Sequence, residues 1–282
     1  MDVEAAMTRG VAPRQPAKTG RQEGARSVPR GQQSRGVSRQ PKQIRKFPQK
    51  PAKNKKTAGS TSPQRVQEIL RRLDQTYPDV TCALTHNDAW ELLVATILSA
   101  QSTDVNVNKV TPVIFRKYPT VQDFAALQPE DLEPDVRSTG FFRNKSKSVV
   151  GAAKKIVSDF GGKVPDNMED LLTLPGVARK TANVVLGTWF KRNDGVVVDT
   201  HVQRLSRRLE LTKQEDPKKI ELDLMAILPR EKWTIFSHQL IWHGRKLCVA
   251  RSPRCAECPL ENICHAADKT WSTVDIHKNA HP

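Results

Sequence analysis

Four cysteines near the carboxyl end of the chain have spacing typical of a metal centre. Cys248, Cys255, Cys258 and Cys264 form the pattern C-x6-C-x2-C-x5-C within the stretch CVARSPRCAECPLENIC. Four thiolates in one short loop can hold a tetrahedral Zn²⁺ ion or a [4Fe–4S] cluster, and the spacing alone does not separate the two. The fifth cysteine, Cys82, stands apart and is expected to be a small buried apolar residue. The sequence therefore predicts a metal centre in this loop and a reducing compartment for the protein.

A lysine follows a Pro-Gly turn in the stretch LPGVARKTANVVL, residues 174–186. Gly176 can adopt a positive φ, and the free N–H groups of the helix that follows can bind an anion such as a DNA phosphate. Lys180 falls in the first turn of that helix, where the helix dipole and apolar neighbours would lower its pKa. A neutral amine is a nucleophile, whereas a charged one is a phosphate contact, and both roles remain open. An ordinary helical hairpin is the simpler interpretation of the Pro-Gly turn.

A carboxylate lies at the start of another predicted helix, in the stretch VVVDTHVQRLSRRL. Asp199 follows an apolar run and takes the N-cap position, where most aspartates only cap the helix. Backbone donors at that position would also hold the carboxylate rigidly, as a catalytic group requires. His201 is expected to be a structural hydrogen-bonding residue.

Positive charge is concentrated at the amino end of the chain. The net charge is +16, and residues 1–61 carry 15 Lys and Arg against three acidic residues. This segment is rich in Gln, Pro, Gly, Ser and Arg and is expected to be disordered. It is interpreted as a nucleic-acid-binding arm, a solvated extension or an organelle transit peptide. Apolar runs long enough for a membrane span are absent from the sequence, as is an apolar secretory leader.

Helical periodicity dominates the rest of the chain. Ser62-Pro63 is expected to open a surface helix, and Asp88-x-x-Glu91 is interpreted as a capping box opening a central helix. Further helices are predicted over 103–118, 144–159, 167–173, 178–190, 200–209, 216–228 and 231–245. Only GVVVDT, residues 195–200, is strand-like, and it is too short to found a sheet. The predicted fold class is all-α.

These motifs, in this order, resemble the endonuclease III family of helix-hairpin-helix DNA glycosylases. The resemblance covers residues 63–272 and includes ELLVATILSAQSTDVNVNK and STGFFRNKSKS, which are similar to the family's damage-probing segments. It implies two helical lobes, one a barrel of residues 83–192 with the hairpin and the other residues 62–82 plus 193–272. Residues 1–61 and 273–282 would be tails.

The resemblance also implies the roles of individual residues. The four cysteines would carry a structural [4Fe–4S] cluster, Lys180 would be the nucleophile, and Asp199 its carboxylate partner. Gln101 would fill the gap left by an extruded nucleotide, and Phe141 would wedge the opposite strand. The expected partner is double-stranded DNA with a damaged base or an abasic site, bound by a monomer. The expected activity is removal of damaged, oxidised pyrimidines, followed by strand cleavage through β-elimination.

Further DNA contacts are expected at the hairpin and the cysteine loop. Gly176 and Ala178 would face a phosphate at the hairpin, and Arg251 and Arg254, between the first two cysteines, form a natural pair of phosphate contacts. Two residues depart from the family pattern: Ala178 replaces a second hairpin glycine, and the wedge at Phe141 is aromatic instead of aliphatic. The alternative functions are an adenine-mismatch glycosylase and a non-catalytic DNA-binding iron-sulfur protein.

Overall fold

The computed structural model describes residues 60–270, and its regular structure is helical. The predictions for residues 1–59 and 271–282, which include most of the basic segment and the C-terminal tail, lie outside the described residues. Within 60–270 there is no β-strand, which confirms the all-α prediction, and no helix there is long and apolar enough to cross a membrane. The eleven α-helices of this range are α1 Pro63–Thr76, α2 Ala89–Leu98, α3 Asp104–Lys117, α4 Val121–Ala126, α5 Pro129–Val136, α6 Phe142–Phe160, α7 Met168–Leu172, α8 Arg179–Thr188, α9 Thr200–Arg208, α10 Pro217–Ile227 and α11 Trp233–Lys246.

Side-chain caps open most of these helices. Ser62 caps α1 ahead of Pro63, and the Asp88 carboxylate accepts the Glu91 backbone N–H at 2.7 Å to open α2. The predicted capping box at Asp88 is wrong in one respect. The Glu91 carboxylate accepts the backbone N–H of Asn87 at 2.7 Å, one residue before the cap. The cap still satisfies a helix-end donor that would otherwise lack a partner.

Helix α2 lies at the centre of the first hydrophobic core. Its residues are apolar on nearly every side, and Leu92, Leu93, Val94 and Ala95 have no solvent exposure. Helices α3 to α8 supply most of the remaining apolar side chains of this core, and Leu84, Leu174 and Val177 join them from connecting segments. A helix without a polar face can be accommodated only with neighbours all around it. The sequence prediction of a central helix is confirmed.

A second core forms from α1 and the helices after residue 195. Val66, Ile69 and Leu73 of α1 pack with buried side chains of α9, α10 and α11. Leu260 of the cysteine loop joins them, as do Cys248, Cys258 and Cys264 as partly buried members. The amino-terminal helix thus packs against the carboxyl-terminal part of the described chain.

Two short helices and one apolar segment differ from the sequence predictions. Helices α4 and α5 were not predicted, although Thr120–Asp123 and Gln128–Asp131 form capping boxes at their starts. Both helices are short, and α5 contains Pro134. Their sequences therefore lack the long helical repeat of apolar residues from which the other helices were predicted. The strand-like residues 195–200 form no strand; Val196, Val197 and Val198 are buried in an extended segment that leads into α9.

Candidate functional site

The turn between α7 and α8 is held by short local hydrogen bonds. Backbone N–H groups of Leu174 and Val177 donate to carbonyls three residues earlier, at 3.2 and 3.1 Å. Gly176 has φ 76°, and a Cβ on it would lie 2.5 Å from the Cβ of Ser148 on α6. A side chain is therefore excluded at Gly176 by both conformation and space. The turn is anchored beneath by buried Leu174 and Val177, while Pro175 and Gly176 stay exposed.

Helix α8 begins without a side-chain cap. Ala178 is its N-cap, with φ −95° and ψ 168°, and no side-chain hydrogen bond satisfies the N–H groups of the first turn. These donors face an exposed surface at Gly176 and Ala178. The backbone at Ala178 is an ordinary extended conformation, so alanine in place of glycine strains nothing there. Free N–H groups at a helix start are suited to bind an anion.

Lys180 is the second residue of α8, and its side chain is exposed. The expectation that apolar neighbours shield Lys180 is wrong, because the apolar residues Ala182 and Val185 turn into the core and leave Lys180 on the outer face. Within residues 60–270, no carboxylate forms an ion pair with its amine. Lys180 is therefore open to a molecule bound at the start of α8.

A buried carboxylate holds the neighbouring residue of the same turn. Glu221 on α10 accepts from Arg179 Nε at 3.0 Å and from Asn183 Nδ2 at 2.9 Å. Arg179 also donates to the carbonyl of Asp194 at 3.3 Å. These contacts join α8, from the first core, to α10, from the second. The sequence analysis did not identify Glu221, since its partners lie 38 and 42 residues away along the chain.

Asp199 caps α9, and one of its two oxygens is used for the cap. Its Oδ1 accepts the backbone N–H of Val202 at 2.8 Å, and the side chain is half-buried. His201 Nδ1 lies 3.3 Å from a guanidinium nitrogen of Arg204, and burial lowers the pKa of His201 although the Asp199 charge opposes it. A neutral imidazole that accepts from Arg204 fits the predicted structural role. The capping role of Asp199 leaves Oδ2 for another partner.

The two predicted probing residues lie in tight loops. Gln101 has φ 55° in the turn between α2 and α3, and Phe141 has φ 48° just before α6. Both side chains are exposed, Phe141 to 62% of its surface. Next to it, the guanidinium groups of Arg137 and Arg143 lie 5.7 and 5.8 Å from the centroid of the half-buried Phe142 ring. The exposed Phe141 ring and the arginines around its neighbour form a surface suited to nucleic acid.

The four cysteines line one apolar cavity, together with Leu247 and Pro253. Each thiol is half-buried and free of disulfides. Burial raises the pKa of the Cys248 and Cys264 thiols, and it raises the pKa of Cys258 to about 12. Buried thiols with such pKa values need a positive centre to hold them as thiolates. The all-sulfur donor set suits iron or zinc.

Long basic side chains hold the cysteine loop in shape. Arg208 donates to the sulfur of Cys248 at 3.2 Å and to the carbonyls of Val249 and Ala250 at 2.7 and 3.0 Å. Further carbonyls accept from Arg65, Arg72, Arg204 and Lys269, which bind Ile263, Pro259, Cys248 and Glu261. This irregular segment has few backbone partners of its own, so these donors satisfy its carbonyls.

A buried histidine also contacts the cysteine loop. His243 is 2% exposed, with Nδ1 3.0 Å from the Tyr77 hydroxyl and Nε2 3.4 Å from the Cys258 sulfur. Burial lowers the pKa of His243 to about 4 and raises that of Tyr77 to about 12. The neutral imidazole therefore accepts from Tyr77 and points its other N–H at the sulfur. Hydrogen bonds to ligand sulfurs are typical of iron-sulfur sites.

The two loop arginines predicted to contact phosphate are exposed on the outside of the cysteine loop. Arg254 forms a two-point ion pair with Glu257, with Nε at 2.7 Å from Oε1. Arg251 forms no ion pair within the described residues. The two side chains therefore differ in how freely they can meet a phosphate.

Comparisons with known proteins agree with this geometry. Residues 94–230 match the model of the HhH-GPD superfamily base excision DNA repair proteins, and residues 248–264 match the iron-sulfur binding domain of endonuclease III. The chain is 54% identical to Endonuclease III of Synechocystis sp., over 72% of this chain and 93% of that protein. It is 42% identical to Endonuclease III of Bacillus subtilis, over 73% and 94%.

Two solved structures are similar over nearly their whole length. A non-covalent Endonuclease III–DNA complex superimposes with a TM-score of 0.68 at 42% identity, covering 72% of this chain and 95% of that one. A trapped Endonuclease III–DNA covalent intermediate gives 0.69 at 41% identity, covering 72% and 96%. The chain belongs to the endonuclease III family. It is a DNA-binding base excision repair glycosylase with lyase activity, and its cysteine loop carries a [4Fe–4S] cluster.

Proposed function

We propose that Lys180 is the nucleophile of this glycosylase and that Asp199 is its carboxylate partner. The observation that carries the proposal is the exposed and unpaired Lys180 amine at the uncapped start of α8. One similar structure is named as a trapped covalent intermediate between Endonuclease III and DNA. A covalent link to DNA requires a nucleophile at the surface that meets the strand.

The bond changes follow from the chemistry of an amine and a deoxyribose. The neutral Lys180 Nζ attacks C1′, the bond from C1′ to the base breaks, and the base leaves with that electron pair. Asp199, through the oxygen that does not cap α9, takes a proton from the attacking amine. Opening of the sugar gives an imine at C1′, which makes the C2′ hydrogens acidic. Loss of a C2′ proton then expels the 3′ phosphate and cuts the strand.

The substrate is proposed to be an oxidised pyrimidine in duplex DNA. Lys180 cannot reach the C1′ atom of a nucleotide that is stacked inside the duplex, so the damaged nucleotide must be extruded. Damage weakens pairing or stacking of the base and so lowers the free-energy cost of extrusion. Gln101 fills the space that it leaves, and Phe141 wedges the opposite strand. Both side chains are exposed at tight loops, as insertion into a duplex requires.

Backbone donors and arginines are proposed to hold the phosphates. The free N–H groups at Gly176 and Ala178 face one phosphate, and Arg251 and Arg254 face another part of the backbone. Arg254 must exchange or share its ion pair with Glu257 to do so. The [4Fe–4S] cluster, held by Cys248, Cys255, Cys258 and Cys264, cross-links the loop that carries these arginines and supplies no bond-breaking step.

The domain organisation is part of the proposal. One lobe comprises residues 83–192 and a second comprises residues 62–82 plus 193–272, each around one of the two cores. The protein is proposed to act as a monomer. Its proposed location is the cytoplasm or nucleoid of a bacterium, because the compared relatives come from bacteria; a eukaryotic source would favour an organelle or the nucleus. Residues 1–61 add non-specific phosphate contacts, and 273–282 form a tail. An unchanged salt dependence of DNA binding after removal of residues 1–61 would contradict the arm's role.

Substitution of Lys180 tests the proposal. Lys180→Gln removes the amine, and we expect excision and β-elimination to fall by at least about 10³-fold while duplex binding persists. Lys180→Arg keeps the charge but stays protonated, so it should bind DNA and leave the strand intact. Both rates are measured in single-turnover assays on duplexes with one defined lesion.

Lys218→Gln is the matched control. Lys218 is also the exposed second residue of a helix, α10, and its loss should leave both rates unchanged within about twofold. A Lys180→Arg variant as active as the parent would make Lys180 a phosphate contact. A parent protein that binds DNA and forms no product would favour the non-catalytic alternative.

A further inference from the structure

The loops that carry Gln101 and Phe141 both hold a residue in the left-handed backbone region. Gln101 has φ 55° and Phe141 has φ 48°, and neither is a glycine. Such conformations cost about 1 kcal/mol or more and persist only where neighbouring contacts hold the backbone. Each loop therefore needs an anchor, and the structure provides one that the two loops share.

The shared anchor is the amide of Asn106, in the first turn of α3. Its Nδ2 donates to the hydroxyl of Ser102, next to Gln101, at 3.1 Å. The same nitrogen donates to the carbonyl of Ser138, three residues before Phe141, at 2.9 Å. Asn106 is half-buried, so these contacts are partly shielded from water.

The chemistry of a primary amide suits this position. Its nitrogen carries two N–H groups in one plane, at a fixed angle, so a single side chain can donate to two loops at once. The backbone N–H of Asn106 is itself bound to Thr103, the cap of α3, at 3.0 Å from the carbonyl and 3.2 Å from the hydroxyl. The amide thus extends from a fixed helix start.

A second contact fixes the far side of the Phe141 loop. The buried amine of Lys145 on α6 donates to the carbonyl of Thr139 at 2.7 Å. The carbonyls of Ser138 and Thr139 are therefore held from two different helices, α3 and α6. Of these two donors, Lys145 contacts only the Phe141 loop, whereas Asn106 also contacts Ser102 of the Gln101 loop. Asn106 therefore joins the two loops.

We propose that Asn106 is a positioning residue that couples Gln101 to Phe141, so that both probes enter a duplex as one unit. The inference rests on the proposed function, which assigns these two residues to the extruded nucleotide and to the opposite strand. Filling the vacated space and wedging the facing strand are useful only together. The two hydrogen bonds from Asn106 constrain the spacing between the two loops that carry these side chains.

The test uses Asn106→Asp in the full-length protein. Aspartate has the same shape but donates no hydrogen bond, so the Ser138 carbonyl would face a carboxylate oxygen. We expect single-turnover excision of an oxidised pyrimidine from duplex DNA to fall about tenfold, as for loss of one hydrogen bond to a shielded carbonyl. Excision of the same base from single-stranded DNA, which has no opposite strand to wedge, should change by less than about twofold.

Asn108→Asp is the matched control. Asn108 lies on the same helix, is also half-buried, and donates to the carbonyl of Ala83 at 2.8 Å, away from both loops. It should leave the ratio of duplex to single-strand rates unchanged. If Asn106→Asp does not fold, Ser102→Ala removes one of the two bonds and should lower the duplex rate by about threefold.

A second measurement tests the coupling itself. In a Phe141→Ala background, Asn106→Asp should lower the duplex rate by less than about twofold, because no wedge remains to be positioned. Equal losses on duplex and single strand would make Asn106 merely structural, and no loss on duplex would remove the coupling. If Phe141→Ala and Gln101→Ala both leave duplex excision intact, the assignment of the probes fails instead.

Discussion

The first turn of α8 and the cysteine loop both involve cationic side chains, but Lys180 and Arg208 are used in opposite ways. Arg208, the last residue of α9, donates to the Cys248 sulfur and to backbone carbonyls of the cysteine loop. At α8 the amine of Lys180 is exposed and forms no ion pair within residues 60–270. The charged group of Arg208 satisfies carbonyls of the loop, whereas the Lys180 amine is left open to the substrate, beside an Arg179 that is held by Glu221.

The two regions therefore differ in role: the contacts of the cysteine loop stabilise the fold, whereas the start of α8 is proposed to take part in the reaction. The cysteine loop has only short 3₁₀ turns, so its conformation depends on the cluster and on distant basic residues. The α7–α8 turn is held by local bonds and by the close approach of Gly176 to Ser148, so Lys180 contributes little to it. Substitutions in the loop should therefore reduce stability, and substitutions at α8 should reduce rates.

The largest expected effect on folding is that of Cys258→Ser. Its half-buried sulfur lies 3.4 Å from His243 Nε2, and a serine hydroxyl is a poor iron ligand. We expect iron to fall from about four atoms per chain to less than about two, with loss of soluble folded protein. Iron analysis and the visible absorbance of the purified protein measure this. Stoichiometric zinc in the parent would contradict the cluster.

Asp199→Asn tests the comparison further. Asp199 lies between α8 and the cysteine loop in the sequence, and it combines a structural role as a helix cap with a proposed role in the reaction. Asparagine caps a helix about as well as aspartate, so the free energy of unfolding should change by less than about 0.5 kcal/mol. Excision should fall about 100-fold, because the amide cannot take a proton from the Lys180 amine. Thermal unfolding and single-turnover rates are compared. Equal stability with an unchanged rate would reduce Asp199 to a helix cap.

Ala178→Gly has the smallest expected effect. The backbone at Ala178 is unstrained, and glycine is a better N-cap than alanine, so stability should rise by no more than about 1 kcal/mol. Removal of the Cβ gives a phosphate closer access to the N–H groups, and we expect Kd for undamaged duplex to fall about twofold. Weaker binding by the glycine variant would show that no phosphate lies there.

The sequence predicted elements and motifs well where the signal is local. The apolar stretch of α2, the Pro-Gly turn before Lys180 and the cap at Asp199 each depend on neighbouring residues. Arg208, Glu221 and Asn106 were not identified, because their partners lie 32 to 60 residues away and only the folded chain brings them together. The exposure of Lys180 was also not predictable, since it depends on how α8 rotates against the first core.

The central claim is that Lys180 forms the covalent bond to DNA. The most direct measurement is borohydride reduction of the parent protein during reaction with an abasic-site duplex, followed by peptide mapping of the cross-linked residue. We predict a single adduct on Lys180, which is lost in Lys180→Gln and retained in Lys218→Gln. An adduct on another lysine, or strand cleavage in Lys180→Gln with a trapped complex still present, would contradict the claim.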